Sequence, residues 1–260
     1  MQDLTITLVQ TELYWENIQA NLSELEEKLW TVQSKTDLVI LPEMFNTGFT
    51  MNASALAEPM NLTTTKWMQQ MAAQKQAVVC GSFIVKEQEA FYNRFLWVSP
   101  NGEVKHYDKR HLFRMAKEHE TFSMGTQKLI VNLKGWKICP MVCYDLRFPV
   151  WSRNIKNEYD ILLYVANWPA VRQSAWNTLL PARAVENLCY TIGVNRCGED
   201  GKGIEYQGDS RIDDFYGNNL LHLGAQENIT SFTLEKEKLE RYRQKFPAHL
   251  DADQFEMVNG

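Results

Sequence analysis

Apolar and polar positions change their period along this chain, and each change marks an element. Leu4 to Gln10 alternates apolar and polar, the pattern of a strand. From Asn17 to Lys35 the apolar residues fall at Ile18, Leu22, Leu25, Leu29 and Val32, one face of a helix. Asp37 to Pro42 is a short apolar run stopped by proline, which reads as a buried strand. The pattern predicts a helix over Thr63 to Gln76 and strands over Ala77 to Val85 and Phe91 to Ser99. The turn signal Pro100-Asn101-Gly102 then leads into a strand over Glu103 to Tyr107. Leu129 to Leu133 and Trp136 to Val142 read as a hairpin turning at Lys134-Gly135, followed by a helix over Arg147 to Lys156. Asp160 to Ala166 is an apolar strand, Gln173 to Leu188 a helix and Cys189 to Asn195 a strand. Gly198 to Gly203 is a polar loop, and after several short β segments a last helix runs over Leu234 to Lys245. Helices alternate with strands near both ends and hairpins fill the middle, which predicts a layered α/β fold with a mixed sheet or two sheets. No linker, repeat or low-complexity segment interrupts it, so residues 1–260 are expected to form one domain, a size that one core can still fill.

Composition narrows the function. The chain is 45% hydrophobic and 23% charged, with a formal net charge of −5 and acids and bases interspersed. There is no basic stripe for nucleic acid and no apolar run long enough for a membrane span. The N-terminus lacks the basic and apolar blocks of a signal peptide. The five cysteines (Cys80, Cys139, Cys143, Cys189 and Cys197) are odd in number and sit in apolar surroundings, which fits free thiols in a cytoplasmic protein. Cys139 and Cys143 with His106, His111 and His119 lack the compact ligand pairs of a zinc site. GxGxxG and GxxxxGK[ST] are both missing, so no metal or other cofactor is expected.

Three residues carry candidate chemistry. Cys143 ends an apolar run just before a polar, helical segment. A thiol at a strand-to-helix turn faces a cleft and lies near N–H groups that lower its pKa and can receive an oxyanion. A free cysteine is otherwise a small core hydrophobe. Glu43 directly follows the buried strand ending at Pro42, where a carboxylate is costly unless paired or functional; a surface position just past the strand is the other reading. Lys109 lies in a charged and aromatic segment after a strand, which alone reads as a solvated loop. Together they supply a nucleophile, a carboxylate base and a fixed cation, the set that amide hydrolysis needs.

Leu41-Pro42-Glu43-Met44-Phe45, Tyr107-Asp108-Lys109-Arg110-His111-Leu112 and Cys143-Tyr144-Asp145-Leu146-Arg147-Phe148-Pro149 resemble, in order, the three signature segments of the nitrilase, or carbon–nitrogen hydrolase, superfamily. Asn167-Trp168-Pro169, Ala182-Arg183-Ala184-Val185-Glu186-Asn187 and Gly208-Asp209-Ser210 extend the resemblance over nearly the whole chain. It implies a four-layer α-β-β-α sandwich with two central mixed β-sheets, no cofactor, and pairing into homodimers or larger assemblies. It also implies catalytic roles for Glu43, Lys109 and Cys143. A second glutamate near the lysine loop falls on Glu120, with Glu118 as the alternative. Within the family the chain resembles the omega-amidases, which hydrolyse the terminal amide of 2-oxoglutaramate and related short dicarboxylic monoamides. The aromatic residues Phe45, Phe113, Tyr144, Phe148 and Trp168 surround the motifs and either line a small pocket or pack the core. Arg147 can pair with a substrate carboxylate or with an acid of the chain such as Asp145 or Glu186; Arg114 and Arg172 are alternative carboxylate partners. Another amidase or N-carbamoyl hydrolase of the family, and a binding protein on the same fold, are the competing readings.

Overall fold

The structure, a computed structural model, describes residues 2–253, 255 and 256; residues 1, 254 and 257–260 lie outside the described residues. The first half of the chain runs β1 (Leu4–Gln10), α1 (Ile18–Thr31), β2 (Leu38–Ile40), α2 (Ala53–Leu56), α3 (Thr63–Lys75), β3 (Val78–Glu87), β4 (Ala90–Val98), β5 (Val104–Asp108) and α4 (Glu118–Thr121). The second half runs β6 (Val131–Leu133), β7 (Trp136–Val142), α5 (Pro149–Ser152), β8 (Ile161–Ala166), α6 (Gln173–Asn187), β9 (Tyr190–Asn195), β10 (Cys197–Glu199) and β11 (Glu205–Gln207). It ends with β12 (Arg211–Asp213), β13 (Asn219–His222), β14 (Asn228–Leu234) and α7 (Lys236–Lys245).

The strands form two six-stranded sheets, ordered β14-β1-β2-β3-β4-β5 and β13-β12-β9-β8-β7-β6, plus a separate β10-β11 hairpin. Each sheet is mixed. Read from β14, the first pairs antiparallel, parallel, parallel, antiparallel and antiparallel. Read from β6, the second repeats that pattern. The repeat of strand pairing has no counterpart in the sequence, where no repeat is visible.

Side-chain alternation explains the layers. Leu4, Ile6 and Leu8 of β1, Leu38 and Ile40 of β2, and Phe95 and Trp97 of β4 share one core with Ile138 and Met141 of the second sheet. Their neighbours Val9, Val39, Leu96 and Val98 face the other way, into a core with Leu22, Leu25 and Leu29 of α1 and Trp67, Met68 and Met71 of α3. Period-two strands therefore bury both faces of the first sheet, one against the second sheet and one against helices. α1 starts where the Asn17 side chain accepts the Ala20 N–H at 3.1 Å, as a capping asparagine does. On the far side α6 lies against β9.

Two elements depart from the sequence pattern. The helix expected over Arg147 to Lys156 is broken into a 3₁₀ turn (Cys143–Arg147), α5, and a second 3₁₀ turn (Ile155–Asn157). Pro149 has no N–H and forces Phe148 out of helical geometry, to φ −118° and ψ 87°. The polar loop Gly198 to Gly203 is part of the β10-β11 hairpin, where Cys197, Gly198 and Glu199 pair with Gln207, Tyr206 and Glu205.

Gly193 of β9 sets how closely α6 approaches: a Cβ there would come within 2.5 Å of Leu180 Cδ1 and 2.6 Å of Trp176 Cζ2. Gly193→Val is expected to cost about 1–3 kcal/mol, the usual cost of overpacking. Urea denaturation measures it, and an unchanged midpoint would mean that α6 is free to move off the sheet.

Candidate active site

The parallel strands of both sheets end at one rim. Glu43 lies just past β2, Asn167 directly past β8, and Cys143 directly past β7. Ser82 of β3 fixes the Glu43 turn by taking the Met44 N–H on its hydroxyl at 3.0 Å and the Phe45 N–H on its carbonyl at 3.1 Å. The two sheets then meet directly. The Asn167 N–H donates to Glu43 Oε2 at 2.8 Å, and the Asn167 side chain donates to the Glu43 carbonyl.

Glu43, Lys109 and Glu118 are buried together. Lys109 Nζ lies 2.9 Å from Glu43 Oε1 and 2.9 Å from both oxygens of Glu118. Asn93 of β4 donates to Glu43 Oε1 at 2.8 Å and to Glu118 Oε1 at 3.2 Å, and the Phe113 N–H donates to Glu118 Oε2 at 2.6 Å. Burial alone would lower the Lys109 pKa, but Glu118 and Glu43 outweigh it and hold the ammonium charged well above its ordinary range. Burial raises the Glu118 pKa, against the pull of Lys109. The loop carrying these groups closes tightly: Gly125 donates its N–H to the Lys109 carbonyl at 3.0 Å, and a Cβ on it would sit 2.0 Å from the Asp108 carbonyl oxygen.

Cys143 is 8% exposed and adopts φ +44°, a left-handed conformation that costs a non-glycine residue about 1–3 kcal/mol. Its Sγ lies 3.8 Å from the Asn167 carbonyl. Its pKa is not lowered, as its position in the sequence suggests, but raised well above the usual thiol value. Burial is the main cause and the neighbouring Glu43 carboxylate the next, with Lys109 opposing.

A cavity of about 310 Å³ opens onto Cys143 and Lys109 and includes Phe113, Tyr144, Arg147 and Trp168 in its wall. Phe45 is not part of it. The left-handed Met44 (φ +42°) turns the chain between Glu43 and Phe45, and the Phe45 ring packs in the outer core, 5.9 Å from Trp67 and 6.2 Å from Phe83. Glu120 is likewise outside the site: it is exposed and pairs with Lys117 at 3.8 Å, because residues two apart on the short α4 point to opposite sides. Of the two candidates for the second glutamate, Glu118 is the one that bonds Lys109. Phe148 stacks on His111 at 3.8 Å. Arg147 rests over Trp168 at 5.1 Å and pairs with neither Asp145 nor Glu186, which bond to His111 and Arg183 instead. Arg172 and Lys202 also border the cavity, whereas Arg114 does not. Among the described residues, no three His, Cys, Asp or Glu side chains are grouped to hold a metal ion, and no helix is long and apolar enough to cross a membrane.

Sequence reasoning missed several residues. Asn93 carried a signal, since a lone amide in the aromatic run Phe91-Tyr92-Asn93-Arg94-Phe95 needs partners if buried. Arg183 and Asn195 act at a distance: Arg183 donates to the Leu146 carbonyl at 2.8 Å, and the Asn195 side chain accepts the Trp168 N–H at 2.7 Å. Those contacts support the turns that present Cys143 and Asn167.

The chain is similar to known proteins over nearly its whole length. The carbon–nitrogen hydrolase family model matches residues 5–244. The chain is 46% identical over 258 residues to the omega-amidase YafV of Escherichia coli K12, covering 99% of this chain and 100% of that one. It is 29% identical over 251 residues to the 2-oxoglutaramate amidase of Bacillus subtilis, covering 95% of this chain and 96% of that one. The crystal structure of XC1258 from Xanthomonas campestris, a CN-hydrolase superfamily protein with an arsenic adduct in its active site, superposes with a TM-score of 0.97. It is 42% identical, covering 99% of this chain and 100% of that one. The chain belongs to the carbon–nitrogen hydrolase family and is an enzyme of that class.

The geometry separates the two glutamates. Glu118→Gln is expected to lower turnover at least about a hundredfold, the range for a group that fixes an oxyanion cation, while Glu120→Gln stays within about twofold. Steady-state rates decide it, and equal losses would return Glu120 to the site. Removing the anion beside the thiol favours its ionisation, so Glu43→Gln should move the pH profile of Cys143 alkylation downward. An unchanged or upward-shifted profile would mean that Glu43 does not control the thiol.

Proposed function

We propose that the enzyme hydrolyses the terminal amide of short dicarboxylic monoamides of the 2-oxoglutaramate kind to acid and ammonia, as a single-domain cytoplasmic homodimer without a cofactor. The observation that carries the substrate class is the charge of the cavity wall. Arg147, Arg172 and Lys202 border it, and each is held by aromatic or sulfur contacts with no carboxylate partner among the described residues. Asp200, the one acid on the wall, is engaged by the Lys202 and Ile204 N–H groups at 2.8 and 3.0 Å and by the Tyr206 hydroxyl at 3.0 Å. A small pocket with free cations suits a substrate that carries a carboxylate at the end away from its amide. The similarity to the omega-amidase of E. coli and the 2-oxoglutaramate amidase of B. subtilis supports the same class. The free cysteines support an intracellular setting, and the homodimer rests on the family resemblance.

In this reading the Cys143 sulfur attacks the amide carbon while Glu43 takes the thiol proton. The oxyanion is held by Lys109 Nζ and by the Tyr144 N–H at the start of the 3₁₀ turn. Collapse breaks the C–N bond, and Glu43 returns the proton to the departing ammonia. Glu43 then activates water against the thioester, and the acid leaves as the thiol is restored. Glu118 and Asn93 keep the ammonium and the base in register.

Glutamine carries an ammonium where 2-oxoglutaramate carries a ketone. That extra cation meets a cationic wall, so kcat/KM should favour the keto amide. Arg147→Met should raise KM for the keto amide by about tenfold or more, the loss expected for a charge-assisted hydrogen bond, and change a neutral amide of similar size far less. Equal wild-type efficiency on keto amide, glutamine and neutral amide would refute the substrate class. An equal loss on both amides in the variant would shift the carboxylate contact to Arg172 or Lys202.

A further inference from the structure

Asp145, two residues past Cys143, is fully buried and does not border the cavity. Its Oδ2 accepts the Val142 N–H at 3.0 Å and the Tyr107 hydroxyl at 2.7 Å. Its Oδ1 accepts the His111 N–H at 2.9 Å and faces the His111 ring Nδ1 at 2.8 Å. Its backbone carbonyl takes the Phe148 N–H at 3.0 Å. The Tyr107 hydroxyl in turn accepts from Trp151 Nε1 at 3.0 Å and from the Arg110 N–H at 3.2 Å.

The pattern of these partners is informative. Val142 immediately precedes the strained Cys143, while Tyr107 and His111 stand two residues before and two residues after Lys109. One carboxylate therefore ties the nucleophile's turn to both flanks of the segment that carries the ammonium. Its acceptor sites are filled by donors that differ in chain position by 38, 34 and 3 residues, so the contact is tertiary as well as a local cap. A left-handed non-glycine residue persists only where its surroundings fix it, and Asp145 supplies much of that fixing for Cys143.

We propose that Asp145 is a positioning residue for the hydrolysis: it sets the separation and alignment of the Cys143 thiol and the Lys109 ammonium without touching substrate. This deepens the reading of those two groups as nucleophile and oxyanion cation, and it rests on that reading. In Asp145→Asn an amide NH₂ replaces one carboxylate oxygen and opposes donors on one side of the network, so the turn and the lysine segment lose their common anchor.

The test is a double-mutant cycle on the full-length enzyme with the keto amide, with folding checked by circular dichroism. Asp145→Asn is expected to lower kcat about thirty- to a hundredfold with KM changed less than about threefold, because a misplacement near 1 Å can cost about a hundredfold. In a Lys109→Met background the same substitution should cost less than about fivefold, since the alignment it protects is already gone. Tyr107→Phe, a milder change, should lower kcat about three- to tenfold at constant KM and serves if Asp145→Asn does not fold. A folded Asp145→Asn enzyme with kcat within about twofold of wild type would overturn the proposal, as would the same fold-loss in both backgrounds. If Asp145→Asn does not fold, unchanged kcat in Tyr107→Phe would overturn it. Failure of the underlying reading would show separately, as a loss below about tenfold in Lys109→Met alone.

Discussion

The arrangement depends on a single buried ammonium. Lys109 Nζ has lost its water and sits between two carboxylates, each 2.9 Å away and each from a different segment of the chain. A charge left alone there would be too costly to keep, and breaking such a pair by removing one partner costs about 3–5 kcal/mol. The lysine therefore requires that the turn after β2, the segment after β5 and the start of α4 come to the same point. The same requirement shapes the chemistry, because it leaves a fixed cation and a hydrogen-bonded carboxylate beside Cys143, the only cysteine among the described residues on the cavity wall.

The two sheets make that convergence possible. Their strands pair in the same order and sense, and the central parallel strands of each, β2 and β8, lead into Glu43 and Asn167, which bond to one another. Placing a site where parallel strands end follows a general rule of α/β sheets. Here two such ends face each other, and the adjacent strand β7 leads into Cys143. The cavity is walled by side chains from loops, including the β10-β11 hairpin that belongs to neither sheet.

Much of this was legible in the sequence where one side chain follows from a local pattern. The strand from Leu4 to Gln10 matches its sequence reading in both boundaries, although its polar residues Thr7 and Gln10 are buried as fully as its apolar ones. The structure brings Glu43 and Lys109 together and sets Cys143 beside Lys109 on the cavity wall; Glu43 and Cys143 end apolar runs in the sequence, whereas Lys109 alone reads as a solvated loop and stands out only through the family resemblance. Less was legible where a short turn decides a direction. Phe45 follows Glu43 by two residues, yet the left-handed Met44 sends them to opposite sides of the sheet. Glu118 and Glu120 are the same residue type nine and eleven positions past Lys109, and the phase of the four-residue α4 separates them. Asp145 looked like a partner for Arg147 but faces inward, to Tyr107 and His111, in contacts that no periodicity encodes.

The covalent step is the centre of the account, and it can be observed directly. Enzyme mixed with 2-oxoglutaramate and quenched in acid within a turnover should show, by mass spectrometry of the Cys143 peptide, an adduct of the substrate's acyl group. The same reaction run with hydroxylamine should divert product from the free acid to the hydroxamate, as an accumulating thioester requires. An unmodified Cys143 peptide at every quench time, together with no hydroxamate, would contradict the account and point to direct attack by water.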